Sequence, residues 1–102
     1  MSQAIVLYEV ADRIATITLN RPEKRNALSP ELVVLLTDFL KEANDSEAVK
    51  VVILKANGQA FSAGADLAYL QQLQENTYEE NLADSEQLKT LFTTILYLSK
   101  VI

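Results

Sequence analysis

The chain contains no cysteine and no histidine. Without cysteine there is no disulfide framework and no thiolate metal site. Without histidine, the commonest metal ligand and the commonest general base are both missing. Acid–base chemistry carried by these residues would have to use carboxylates, lysine or tyrosine. Glycine and proline are scarce, two of each in 102 residues. Positive charge is in deficit as well: the net charge is −5, a poor basis for nonspecific binding to nucleic acid or to an anionic membrane. No stretch approaches the roughly 20 apolar residues of a membrane span. The N-terminus, Met1-Ser2-Gln3-Ala4, lacks the basic and apolar regions of a signal peptide. These absences lead us to expect a soluble, cytoplasmic protein. With 49% hydrophobic and 23% charged residues over this length, the composition is that of one small globular unit rather than two, or of a disordered chain.

One of the two glycines sits in the stretch that organises the chain, Ala60-Phe61-Ser62-Ala63-Gly64-Ala65-Asp66-Leu67. It follows the apolar run Val51-Val52-Ile53-Leu54, which reads as a strand buried on both faces, as in a parallel sheet. Small residues allow a sharp turn and a close approach to backbone amides. Asp66 is a good N-cap for a short helix running to about Leu73. Strand, small-residue turn and helix N-terminus make a natural place to hold an oxygen bearing negative charge.

Upstream, Ile5-Val6-Leu7-Tyr8-Glu9-Val10 and Ile14-Ala15-Thr16-Ile17-Thr18-Leu19 read as an antiparallel hairpin closed by Ala11-Asp12-Arg13. The alternation of Thr16 and Thr18 with Ala15, Ile17 and Leu19 predicts one drier face on the second strand. Next comes a polar loop, Asn20-Arg21-Pro22-Glu23-Lys24-Arg25-Asn26-Ala27-Leu28. It gathers three of the chain's nine basic residues, Arg21, Lys24 and Arg25. One reading is ordinary solvated charge; the other is an anion site on an otherwise acidic chain, suited to a phosphorylated ligand.

Ser29-Pro30-Glu31 opens a helix with a capping serine, proline at the first position and a carboxylate near the positive end of the dipole. Leu32, Leu36, Phe39, Leu40 and Ala43 form its core stripe, and it should stop around Asn44-Asp45-Ser46. Thr77-Tyr78-Glu79-Glu80 is a capping box for a second helix. Leu88, Leu91, Phe92, Ile95 and Leu98 keep helical spacing, and nothing from there to Ile102 breaks it. Unbroken, that helix would be about 35 Å long. Glu75, Glu79 and Glu80 stand near its start, where carboxylates are expected on structural grounds. The apolar, uncapped ending at Leu96-Tyr97-Leu98-Ser99-Lys100-Val101-Ile102 suggests a truncated chain.

Taken together, residues 20–29 and 60–67 closely resemble the enoyl-CoA hydratase/isomerase (crotonase) family, with the intervening helix and strand at matching distances. The resemblance implies an α/β fold: residues 1–102 would form a single partial domain, the N-terminal half of a crotonase-like ββα-spiral, truncated after a long helix. Family members bind acyl-CoA thioesters and hold the thioester oxygen with two backbone N–H groups. The first comes from the residue after the motif glycine, here Ala65. By the same resemblance Lys24 and Arg25 are phosphate-side residues, while Ala27, Ala63, Asp66 and Leu67 line the adenine and pantetheine path. A coenzyme A thioester would be the substrate, with no tightly bound cofactor and no metal. The second oxyanion N–H and the two glutamates of the hydratases belong to segments beyond Ile102. The resemblance therefore implies a lyase or isomerase of fatty acid metabolism, commonly a trimer or a pair of trimers, with this chain inactive alone. Hydration, isomerisation, decarboxylation and dehalogenation share the N-terminal pattern. Two other readings stand beside the enzyme: a CoA-thioester binding module without catalysis, and an interaction protein that packs its long helix on a partner.

Overall fold

Three strands form one sheet in the order β1 (Val6–Ala11), β2 (Ile14–Leu19), β3 (Val51–Ala56), and two helices, α1 (Pro30–Asp45) and α2 (Tyr78–Leu96), pack together beside it. The structure, a computed structural model, describes residues 4–59, 61–62, 75 and 77–102. The mixed α/β character expected from the sequence is present.

β1 and β2 pair antiparallel, with Val6 opposite Leu19 and Ala11 opposite Ile14. The two residues between them, Asp12 and Arg13, both have positive φ, 53° and 67°. That is the twist a two-residue hairpin needs, achieved here without glycine. β3 lies parallel to β2, Ile14 against Val51 and Leu19 against Ala56. A parallel partner requires a crossover, and α1 supplies it.

Ser29 caps α1 through its hydroxyl, which accepts the Leu32 N–H at 3.3 Å, and Pro30 occupies the first turn. Leu32, Val33, Leu36, Leu40 and Ala43 are buried against Ala15, Ile17, Leu19 and Val52. Each large apolar side chain removed from water there contributes about 1.5–3 kcal/mol. Phe39 stacks on Tyr8, centroids 5.0 Å apart and planes 4° from parallel. Burial, and secondarily the charge of Glu42, push the Tyr8 phenol above its ordinary pKa. Its structural part is the stacking contact with Phe39.

Two expectations about β3 and α2 need correction. β3 is not buried on both faces: Val52 is 1% exposed, but its neighbour Ile53 is 44% exposed. Side chains alternate along a strand, and the described residues cover only the α1 side of the sheet. Likewise α2 does not run to Ile102. It ends at Leu96, about 28 Å long. Beyond it the Oδ1 of Asn44 accepts both the Ser99 N–H (2.9 Å) and its hydroxyl (2.8 Å), and Lys100 Nζ donates to the Ser46 carbonyl. Val101 then comes alongside β3, where its carbonyl accepts the Val52 N–H at 2.8 Å. A free edge of β3 competes for that backbone and wins. Within α2, Leu91 is buried and Leu88 and Ile95 pack on the core, but Phe92 is 58% exposed and stands off the stripe. No helix among the described residues is long and apolar enough to cross a membrane.

The capping box of α2 is complete. The Glu80 N–H donates to Thr77 Oγ1 at 3.2 Å, and the Thr77 N–H donates to Glu80 Oε1 at 2.9 Å. Thr77→Ala is expected to lower stability by about 1 kcal/mol, read as a shift in urea midpoint. Its hydrogen bonds from Thr77 hold the Glu80 carboxyl below its ordinary pKa. A depressed folded-state pKa gives stability that is present above the unfolded value and lost as pH falls through the folded one. The urea midpoints of the wild type and Glu80→Ala should therefore converge below the usual carboxylate range.

Candidate functional site

Because β2 and β3 are parallel, their C-terminal ends lie at the same edge of the sheet. One end runs into the cationic loop, the other into the turn that leads to residues 60–67. Ligand sites in parallel sheets characteristically form outside these ends. The Asn57 N–H continues the β2–β3 ladder to the Leu19 carbonyl at 2.9 Å, and Asn57 Nδ2 donates to Asn20 Oδ1 at 2.9 Å. Asn20 in turn ties back to the start of the hairpin, through its N–H to Ile5 O and its Nδ2 to Ala4 O. Strand ends that would otherwise fray are laced together by amides.

The loop is built on its own backbone. Pro22–Lys24 makes a single 3₁₀ turn, closed by the Lys24 N–H to Arg21 O and the Arg25 N–H to Pro22 O, both 3.0 Å. Arg25 and Asn26 then adopt the left-handed conformation, φ 53° and 54°. Asparagine tolerates that region better than most residues. The turn leaves Lys24 and Arg25 exposed, while Ala27 is 7% exposed and faces the interior. Arg21, the third cation, is half-buried and reaches Ser29 Oγ at 3.4 Å.

Gly58 joins the two stretches by shape. Its φ is 96°, and a Cβ there would stand 2.8 Å from the Pro22 Cβ. Only glycine lets the turn after β3 close on the proline of the loop.

Asn26 joins them by hydrogen bonds, a role that its place in the motif stretch did not reveal. It is fully buried. Its N–H donates to Arg21 O (2.8 Å), and its Oδ1 accepts the Arg21 N–H (2.7 Å). Its Nδ2 donates to Asn57 O (2.8 Å), and its carbonyl accepts the Ser62 hydroxyl (2.8 Å). An asparagine in a charged loop has no sequence signature of burial. The only hint was its tolerance of left-handed backbone.

The site residues expected from the sequence divide accordingly. Lys24, Arg25 and Ala27 are placed together on the loop. Ala63, Ala65, Asp66 and Leu67, with the short helix expected from Asp66, lie outside the described residues. Chain entering that stretch, through Phe61 and Ser62, is fastened to the loop by the Ser62–Asn26 hydrogen bond. The carboxylates near the start of α2 offer no alternative centre: Glu75, Glu79 and Glu80 are exposed, and Glu80 is engaged in the capping box. A groove between α1 and α2 is lined by Val33, Thr37, Lys41, Glu86 and Thr90, none of them from either motif stretch.

The family model described as enoyl-CoA hydratase/isomerase matches residues 9–102. A Thermus thermophilus protein assigned as an enoyl-CoA hydratase is 44% identical over 79 residues, 78% of this chain and 31% of its own length. The crotonyl-CoA hydratase of Syntrophomonas wolfei is 32% identical over 72% of this chain and 28% of its own. Among solved structures, a Legionella pneumophila protein assigned as an enoyl-CoA hydratase/isomerase (crotonase) superposes with a TM-score of 0.93 at 40% identity. That match covers 97% of this chain and 38% of the other. The chain thus spans about a third of the length of these relatives.

Proposed function

The chain belongs to the enoyl-CoA hydratase/isomerase family, and from that premise we propose that it is the N-terminal portion, a single partial domain over residues 1–102, of an enzyme acting on acyl-CoA thioesters. Lys24 and Arg25 receive the phosphates of coenzyme A. Ala27, Ala63, Asp66 and Leu67 border the adenine and pantetheine path, and the Ala65 N–H is one of two donors to the thioester oxygen. Two amide donors aimed at that oxygen lower the barrier for any reaction through an enolate, because charge develops there in the transition state. Acid–base groups and the second donor come from the rest of the protein. The intact enzyme is a soluble homo-oligomer of three or six chains and needs no tightly bound cofactor.

One observation carries this reading. The exposed cations of one motif loop and the chain entering the other motif are fastened together at the shared C-terminal edge of two parallel strands. A ligand with an anionic end and a polarisable carbonyl end fits such an edge. A solvated charged loop would have no need of a buried anchor.

Removing both cations, Lys24→Ala with Arg25→Ala, is expected to weaken acyl-CoA binding by the full-length protein. Both side chains are exposed, so their contribution is screened by salt. The gap between variant and parent should shrink as ionic strength rises, measured by titration calorimetry across a salt series. Equal affinities at low salt would return the loop to ordinary surface charge.

A further inference from the structure

We propose that Asn26 is a positioning residue: it sets the separation between the Lys24–Arg25 loop and the chain leaving β3, and so registers the phosphate end of a bound thioester against its carbonyl end. The proposal rests on the acyl-CoA reading above. It makes Asn26 a determinant of nucleotide recognition although its own side chain, fully buried, has no access to a ligand.

The argument begins with what else holds the loop. Its internal hydrogen bonds, Lys24 to Arg21 and Arg25 to Pro22, fix its shape but not its place. Place is fixed by contacts that leave the loop. Two of these are hydrogen bonds of Asn26, from its Nδ2 to Asn57 O and to its carbonyl from Ser62 Oγ. Packing of Pro22 against Gly58 is another. Asn26 is thus the residue at which loop shape and loop position meet: Oδ1 serves the first, Nδ2 and the carbonyl the second. Left without Nδ2, the Asn57 carbonyl would seek water, and water entering there separates loop from strand. Charge–phosphate contacts fall off with distance and with hydration, so a loop that drifts loses them first. Contacts with the carbonyl end, made by residues downstream of β3, do not depend on the loop in the same way.

The test uses the full-length protein and two saturated thioesters, butyryl-CoA and butyryl-pantetheine. Neither has a double bond to hydrate, and the second lacks every nucleotide phosphate. Asn26→Gly keeps the left-handed backbone without strain and deletes only the side chain. The variant should bind butyryl-CoA about tenfold more weakly, the loss expected when two partly screened charge pairs go, with butyryl-pantetheine unchanged to within about twofold. Its butyryl-CoA affinity should also respond less to salt than the parent's. Ser62→Ala, which removes the hydroxyl that donates to the Asn26 carbonyl, should shift the same preference in the same direction by less. Should Asn26→Gly fail to fold, as judged by its thermal melt, Ser62→Ala decides alone. Equal losses for both thioesters in folded Asn26→Gly overturn the proposal, because a purely structural role moves both. So does an unchanged preference in either folded variant. A parent that binds the two thioesters equally well sinks the assignment of Lys24 and Arg25 to the phosphates of coenzyme A, a distinct result, and overturns the proposal with it.

Discussion

Replacing Ala65 with proline in the full-length protein is expected to cut turnover of an acyl-CoA substrate by a factor of ~100 to ~1000, the usual cost of losing one oxyanion donor. The side chain of Ala65 is a single methyl group, so its role must pass through the backbone N–H. Proline removes that hydrogen and also restricts Gly64 before it. Ala65→Ser is the control, since it keeps the donor and adds only a small polar group; it should retain far more activity than the proline variant. Both variants are first shown to fold by circular dichroism and to bind coenzyme A by calorimetry. Steady-state kinetics then separate the cases. A donor felt only in the transition state lowers kcat and kcat/KM together, with the ligand affinity little changed. A folded proline variant as fast as the parent would make Ala65 a turn residue and nothing more.

The second large effect concerns residues 1–102 taken alone. Purified as such, they are expected to show no measurable hydration of crotonyl-CoA. The resemblance places the two glutamates of the hydratases in segments beyond Ile102. The carboxylates described here are exposed or committed to helix capping. The same preparation should associate. Ile53 (44% exposed) faces away from α1 on the sheet, and Phe92, Leu96 and Val101 are 58%, 74% and 69% exposed. Exposed apolar side chains of this kind favour association. Spectrophotometric assay at the enoyl thioester band and sedimentation velocity over a concentration series check the two halves. Hydration above a buffer blank, free of host enzyme, would defeat the first. A monodisperse monomer that melts cooperatively would defeat the second.

Much of the architecture was legible before any coordinates, because it depends on neighbours in the chain. The hairpin followed from two β-branched runs flanking Ala11-Asp12-Arg13, of which Ala11 proved to belong to β1, and the start of α1 from Ser29 and Pro30. Thr77 and Glu80 announced α2, and the stripe from Leu32 to Ala43 announced which side of α1 would be buried. The cationic loop at residues 20–28 could be picked out as well. Caps, turns and periodicity are local chemistry, each settled within a few residues.

What the sequence by itself left undecided turns on groups far apart in the chain. Asn44 meets Ser99 across 55 positions, and that contact, with the open edge of β3, ends α2 at Leu96 although no breaker stands there. Phe92 keeps the helical spacing of the core stripe yet lies outside it, because the line of contact with α1 follows Leu88, Leu91 and Ile95. Asn26 reads as one more polar loop residue. Only the parallel pairing of β2 with β3 brings Asn57 and Ser62, 31 and 36 positions away, to its side chain and carbonyl. Burial turns an amide that water would satisfy into one that must find protein partners, and which partners are within reach is a property of the fold.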